Sequence, residues 1–140
     1  GQHCVEYLEA GDEEGVYSLA VFNNNYWALS SRDDFTLDVE DSVGTDLYQS
    51  GDETSQVYVY RIDENQRTYA LESSFDVPYS SIVSNGSRYG EEEHWIVNSG
   101  VAQVFGEYDA QGNLIREFSY DCTMQNYRTF KYDFSGFWFA

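Results

Sequence analysis

Residues 101–120, VAQVFGEYDAQGNLIREFSY, contain the clearest hairpin pattern of the chain and decide its fold class. Two stretches rich in strand-forming side chains, 101–108 and 114–120, flank the turn sequence DAQGN at residues 109–113. A short loop of Asp, Gly and Asn between two such runs is a strong signal for an antiparallel β-hairpin. The sequence therefore predicts paired antiparallel strands in this region.

Similar short runs recur along the rest of the chain. In residues 55–62, Val57 and Val59 alternate with Tyr58 and Tyr60, which is typical of a strand with one buried face. Further strands are predicted at 16–22, 26–31, 34–40, 67–72, 127–134 and 136–139, with two strands or one bent strand at 93–108. Two stretches are compatible with short helical turns, namely 3–10 and 41–50.

About eight to ten short strands separated by Gly, Asn, Asp and Ser turns indicate an all-β fold. The length of 140 residues fits one domain, so we expect a single antiparallel domain over residues 1–140. Consecutive hairpins favour a small β-barrel, a meander that is calycin-like in shape, over a two-sheet β-sandwich. No period of roughly 20–50 residues is evident, which disfavours a propeller or a solenoid.

The chain is strongly acidic, with 25 Asp and Glu against 7 Lys and Arg and a net charge of −18. This charge repels a phosphate backbone and excludes nucleic acid as the default partner. No apolar run approaches the roughly 20 residues that a membrane span needs, so no membrane insertion is expected. The 13 Tyr, 9 Phe and 3 Trp residues indicate a folded core rather than an acidic disordered chain.

Three features predict an extracellular, secreted protein. Cys4 and Cys122 lack any CxxC spacing and are expected to form a disulfide, which requires an oxidising compartment. Asn85-Gly86-Ser87 is a glycosylation sequon with Asn85 as the acceptor. Lys131 is the only lysine, a bias common in secreted proteins, and the chain beginning at Gly1 resembles a mature form after signal cleavage.

More aromatic rings are present than one core of this size can hold. The surplus rings are expected to line a ligand pocket, to cover an edge or to form a self-association surface. Arg61 and Arg116 lie in otherwise apolar strands, so each needs a carboxylate partner or a place at a pocket mouth. The predicted ligand-binding residues are Tyr58, Tyr60, Arg61, Trp95, Arg116, Tyr132 and Trp138.

Evidence for catalysis in the sequence is limited to a few polar side chains. His94 follows three glutamates and, with Arg116, is the candidate for acid–base work. No GxSxG motif is present, and no cofactor or metal is expected. The acidic stretch 33–41 is interpreted as a solvated face, with a calcium site formed by Asp34, Asp38 and Glu40 as the alternative.

Three functions remain compatible with these patterns. The first is a secreted protein that binds a small aromatic, apolar or glycan ligand through Tyr and Trp side chains. The second is an enzyme of isomerase, cyclase or lyase type that uses interior Tyr, Arg and a carboxylate or His94. The third is a structural subunit of an extracellular assembly joined through edge strands. Titratable groups clustered in a cavity would favour the enzyme.

Overall fold

A computed structural model describes residues 2–11, 13–25 and 54–132, and the predicted all-β antiparallel fold is confirmed in them. Within these ranges, no helix long and apolar enough to cross a membrane is found. The described residues form eight strands, namely β1 (Gln2–Ala10), β2 (Val16–Asn23), β3 (Ser55–Asp63), β4 (Thr68–Val77), β5 (Asn85–Tyr89), β6 (His94–Ser99), β7 (Val104–Tyr108) and β8 (Leu114–Ser119).

The eight strands form two four-stranded sheets, in the orders β1-β2-β3-β4 and β5-β6-β7-β8. Every pairing is antiparallel and joins strands that follow one another among the described residues. The described strands therefore form two packed sheets rather than one closed barrel. Four-stranded sheets of this kind are the blades from which β-propellers are built.

An aspartate stands at the start of the turn between the third and fourth strands of each sheet. Asp63 is the last residue of β3, and Asp109 directly follows β7, which ends at Tyr108. The Asp63 carboxylate accepts a hydrogen bond of 2.9 Å from the Gln66 N–H, and Asp109 accepts one of 2.9 Å from the Gln111 N–H. The two turns differ in spacing, because the bonded N–H belongs to the third residue after Asp63 and to the second residue after Asp109, and the absence of a repeating period stays a prediction.

The hydrophobic core lies between the two sheets. Phe22 and Val57 from the first sheet and Trp95 and Val97 from the second are at most 1% exposed. Gly86 on β5 permits this close approach, because a Cβ atom there would lie 2.9 Å from a methyl group of Val57. Burial of these large apolar side chains from both sheets is the main term that holds the sheets together.

Strand boundaries agree with the sequence prediction in most of the described chain. Residues 93–108 form two strands, β6 and β7, with Gly100 in the connection between them. Residues 3–10 form β1 and no helix, because Cys4, Glu6 and Leu8 alternate with more exposed neighbours in the two-residue period of a strand.

Other predicted elements differ or cannot be compared. Residues 127–132 do not form the predicted strand, and β5 forms at residues 85–89, where no strand was predicted. Polar residues such as those of β5 are poor strand formers by themselves, so pairing with β6 decides the conformation. The predicted elements at 26–31, 34–40, 41–50 and 136–139 lie outside the described residues.

The two sheets expose different edges. All of β8 and most of β4 are exposed, whereas β1 and β5 contact one another across the sheet interface. The first strand of the second sheet, β5, therefore lies against the first two strands of the first sheet, β1 and β2. The candidate site is located at the side where β1 and β5 meet.

Candidate functional site

A groove of about 330 Å³ lies where β1 and β5 meet the segment that follows β8. We call it the basic groove. Three parts of the chain that are remote in sequence build it, namely residues 4–6, 87–89 and 128–132. Its lining includes Cys4, Glu6, Arg88, Tyr89, Arg128, Phe130, Lys131 and Tyr132.

The basic groove collects positive charge in a chain that has very little of it. Arg88, Arg128 and Lys131 are three of the seven basic residues, and the net charge of the whole chain is −18. An anion is repelled by most of this surface. The groove places three of the few positive charges of the chain close together, beside Glu6, the carboxyl group of its lining.

Aromatic rings accompany these cations. The Lys131 ammonium lies 4.2 Å from the ring centroid of Tyr89, and the Arg128 guanidinium lies 4.9 Å from that of Tyr127. Phe130 and Tyr132 form a tilted ring pair with centroids 6.1 Å apart. Cations over ring faces are attracted to the π-electrons, and the exposed ring surface of Phe130 and Tyr132 can contact an apolar ligand body. The lining thus fits a ligand that is both aromatic and anionic.

Glu6 is the carboxyl group that lines the groove from β1. Its burial raises its pKa above the ordinary value, and hydrogen bonds from the Ser87 hydroxyl and the Arg88 backbone N–H lower it by less. The positive charge of Arg88 acts in the same lowering direction. A carboxylate with a raised pKa is a stronger base, so Glu6 is suited to accept a proton from a ligand hydroxyl.

Cys4 is a second group of possible chemical interest in the groove. Its partial burial raises the pKa of the thiol, which the charge of Arg128 offsets in part and the charge of Glu6 reinforces. Because the thiolate is the nucleophilic form, a raised pKa makes this cysteine a weak nucleophile near neutral pH.

A buried carboxylate, Glu107, lies behind the groove and contacts three side chains, those of Arg116, Lys131 and His94. Its side chain is 7% exposed, and its oxygens lie 2.9 Å from Arg116 Nε and 3.2 Å from both Lys131 Nζ and His94 Nδ1. The other ring nitrogen of His94 lies 3.2 Å from a carboxylate oxygen of Glu92. Burial acts to raise the pKa of Glu107, but the hydrogen bonds from His94 and Lys131 and the charges of Lys131 and Arg116 outweigh it and lower the pKa.

This lowered pKa predicts a specific loss of stability in acid. Glu107 binds its proton more readily in the unfolded chain than in the folded chain. The ionised carboxylate therefore makes its full contribution to the free energy of unfolding at pH values above its ordinary pKa of 4.5. It is lost as the pH falls from there through the lower folded pKa. As the pH is lowered over that range, we expect the free energy of unfolding to decrease less in Glu107→Gln than in the wild type. Urea titrations at several pH values measure this decrease.

A control variant, Glu91→Gln, removes one exposed carboxylate from the turn before β6. It tests whether loss of one negative charge alone reduces the acid sensitivity. An equal reduction in Glu91→Gln and Glu107→Gln would show that the ion pairs of Glu107 do not cause the effect.

The residues predicted to bind a ligand do not share one place. Tyr132 lines the basic groove, and Arg116 supports it from behind through Glu107. Trp95 is 1% exposed in the core and cannot meet a ligand. Tyr58 and Tyr60 lie on the opposite face of β3 from the buried Val57 and Val59. Arg61 is exposed and lies 3.9 Å from Glu72, and Trp138 is outside the described residues, as are Asp34, Asp38 and Glu40.

The predicted disulfide is absent. Cys4 and Cys122 are both free thiols. Cys4 lies on β1 of the first sheet, whereas Cys122 follows β8, the outer strand of the second sheet, and its sulfur contacts the Met124 carbonyl. Two cysteines form a disulfide only when the fold brings their Cβ atoms close together, which distance along the chain cannot reveal.

The sequon offers no accessible acceptor in the folded chain. Asn85 is fully buried, and its Nδ2 group donates a hydrogen bond of 2.9 Å to the Thr129 carbonyl. A glycan on that nitrogen would have no room, so the prediction of glycosylation at Asn85 is not supported by the fold. The extracellular location stays a prediction that rests on the lysine-poor composition.

Sequence reasoning missed most of the groove, above all Glu6, Arg88, Arg128 and Lys131. One signal was available, since basic residues are rare in this chain and two of them stand among aromatic residues within 127–132. The clustering of rare cations with rings at residues 127–132 was therefore the sequence signal for this part of the groove.

The family model described as arylsulfotransferase (ASST) matches residues 1–132, which is most of the chain. No curated protein and no solved structure matches.

Proposed function

Because this chain belongs to the arylsulfotransferase family, we propose that its basic groove binds an aryl sulfate ester and takes part in the transfer of the sulfuryl group to an acceptor hydroxyl. The observation that carries this proposal is the convergence of Arg88, Arg128 and Lys131 with aromatic rings in a chain of net charge −18. An aryl sulfate combines the two properties that this lining matches. It has a planar ring and a single negative charge spread over three oxygens.

The groove has complementary parts for the two ends of such a ligand. Tyr89, Phe130 and Tyr132 supply ring faces for the aryl group. The Lys131 ammonium and the Arg128 guanidinium supply charge-assisted hydrogen-bond donors for the sulfate oxygens. Donors fixed in advance beside these oxygens also stabilise negative charge that shifts during transfer.

The proposed reaction is a direct transfer. The acceptor oxygen attacks sulfur, the bond from sulfur to the aryl oxygen breaks, and the hydroxyl proton of the acceptor passes to the Glu6 carboxylate. The products are a sulfated acceptor and a phenolate, which then takes the proton from Glu6. We favour direct attack because the raised pKa of Cys4 makes this thiol a poor covalent nucleophile in the groove.

An assay with 4-nitrophenyl sulfate as donor and phenol as acceptor tests the proposal. We expect release of 4-nitrophenol, measured by absorbance, together with phenyl sulfate identified by mass spectrometry. Arg128→Gln is expected to lower kcat/KM by about 10-fold or more, because it removes one charge-assisted contact to the sulfate.

Arg61→Gln is the matched control, since Arg61 is an exposed arginine that pairs with Glu72 outside the groove. It removes the same charge and is expected to keep wild-type kcat/KM. Binding of 4-nitrophenyl sulfate without any transfer would instead favour a ligand-binding protein. The proposed function would be contradicted if the wild type neither bound 4-nitrophenyl sulfate nor released 4-nitrophenol from it.

A further inference from the structure

The segment 127–132 brings Arg128 and Lys131 into the groove although it has no regular secondary structure. Buried polar side chains of the second sheet hold it. The Thr129 N–H donates to Asn85 Oδ1 at 2.9 Å, and Asn85 Nδ2 donates back to the Thr129 carbonyl at 2.9 Å. Asn98 Nδ2 donates to the Asn126 carbonyl at 3.1 Å. The backbone of this segment is therefore fixed against the sheet.

The Lys131 side chain has a separate attachment. Its Nζ lies 3.2 Å and 3.3 Å from the two carboxylate oxygens of Glu107, and 4.2 Å from the ring centroid of Tyr89. The Glu107 side chain is 7% exposed and that of Lys131 is 37% exposed. The ammonium group is thus held from its buried side while the lysine stays accessible from the groove.

The charges around Glu107 leave the cluster able to attract an anion. Arg116 Nε lies 2.9 Å from Glu107, so the single negative charge of the carboxylate is shared by two permanent cations. Glu107 therefore neutralises the positive charge of Lys131 only in part, and the remaining charge can attract an anionic ligand in the groove. A long, flexible lysine that is ordered before binding also loses less conformational entropy when the ligand arrives.

We propose that Glu107 is a positioning residue for the sulfate end of the ligand, acting through Lys131 and never touching the ligand itself. This inference rests on the proposed function of the groove. It predicts that removing the negative charge of Glu107 changes the affinity for an anion in the direction opposite to the one that charge repulsion alone would give. Removal of a negative charge near a site normally strengthens anion binding, whereas Glu107→Gln should weaken it because Lys131 is no longer held in place.

Lysine-selective ¹³C and ¹⁵N labelling provides a direct view of this attachment. Lys131 is the only lysine in the chain, so the labelled protein gives a single side-chain signal in NMR spectra. The Tyr89 ring should shift the ε-CH₂ protons upfield in the wild type. We expect Glu107→Gln to reduce that shift towards the value of a free lysine.

Binding of phenyl sulfate and of phenol, both measured by calorimetry, separates positioning from general damage. Glu107→Gln is expected to lower the affinity for phenyl sulfate by about 10-fold, the loss typical of one charge-assisted contact, and to keep the affinity for phenol. The control Glu117→Gln removes an exposed carboxylate on β8 and should bind phenyl sulfate at least as tightly as the wild type.

The outcomes distinguish the inference from the proposed function. Unchanged phenyl sulfate affinity in Glu107→Gln, an equal loss for phenol, or an unshifted Lys131 signal in the wild type would each overturn the positioning role. If the wild type shows the shifted Lys131 signal but does not bind phenyl sulfate, the proposed function fails, and Glu107 has no ligand to position.

Discussion

Trp95→Ala is expected to lower the free energy of unfolding by about 3–5 kcal/mol, the range for removal of a fully buried aromatic side chain. Trp95 is 1% exposed, and its ring centroid lies 5.7 Å from that of Phe75 across the interface between the sheets. Removal leaves a cavity at the contact that joins the two sheets. Urea denaturation followed by circular dichroism measures the loss.

The control for this variant is Leu71→Ala on β4, where the side chain is 52% exposed. Its expected cost is within about 0.5 kcal/mol, as for most surface substitutions. Similar losses for the two variants would mean that Trp95 does not lie between two packed sheets.

Glu6→Gln is expected to lower kcat for sulfuryl transfer by about 10²–10⁴-fold, the usual contribution of a general base. The amide cannot accept the acceptor proton, but it keeps a similar size and hydrogen-bonding pattern. Binding of the aryl sulfate should be retained, because the variant removes a negative charge from the groove. Steady-state kinetics with 4-nitrophenyl sulfate and phenol separate kcat from KM.

The pH profile gives a second test of Glu6. The carboxylate form is the base, and burial raises the pKa of this group above its ordinary value of 4.5. Wild-type kcat should therefore fall as the pH drops through that raised pKa, and the residual activity of Glu6→Gln should lack this limb. Glu72→Gln on β4 is the control and should keep wild-type kcat. If the Glu6→Gln variant keeps the wild-type kcat, Glu6 is not the general base of the reaction.

The strands were predictable wherever local turn chemistry and alternation agree. Residues 109–113 specify a hairpin by themselves, and β7 and β8 form on either side of them. β1 was mistaken for helical turns because its alternation becomes clear only when pairing with β2 shows which side is covered. β5 was missed because its residues are mostly polar and show no hydrophobic alternation. Its first residues are buried because other parts of the chain cover them.

The groove was less predictable for a geometric reason. Alternation assigns side chains to the two faces of a strand, but it does not show which edges of two sheets meet. Glu6, Arg88 and Lys131 are brought together only because β1 and β5 contact one another and residues 127–132 return over the second sheet. The same lack of long-range information led to the wrong prediction of a disulfide between Cys4 and Cys122.

A crystal structure of the chain with phenyl sulfate bound is the most direct test of the central claim that the basic groove is an aryl sulfate site. We predict sulfate oxygens within about 3.2 Å of Lys131 Nζ or of the Arg128 guanidinium, the range of a hydrogen bond. The phenyl ring should pack against Tyr89 or Phe130. Phenyl sulfate bound elsewhere on the chain, with the groove unoccupied by it, would contradict the account.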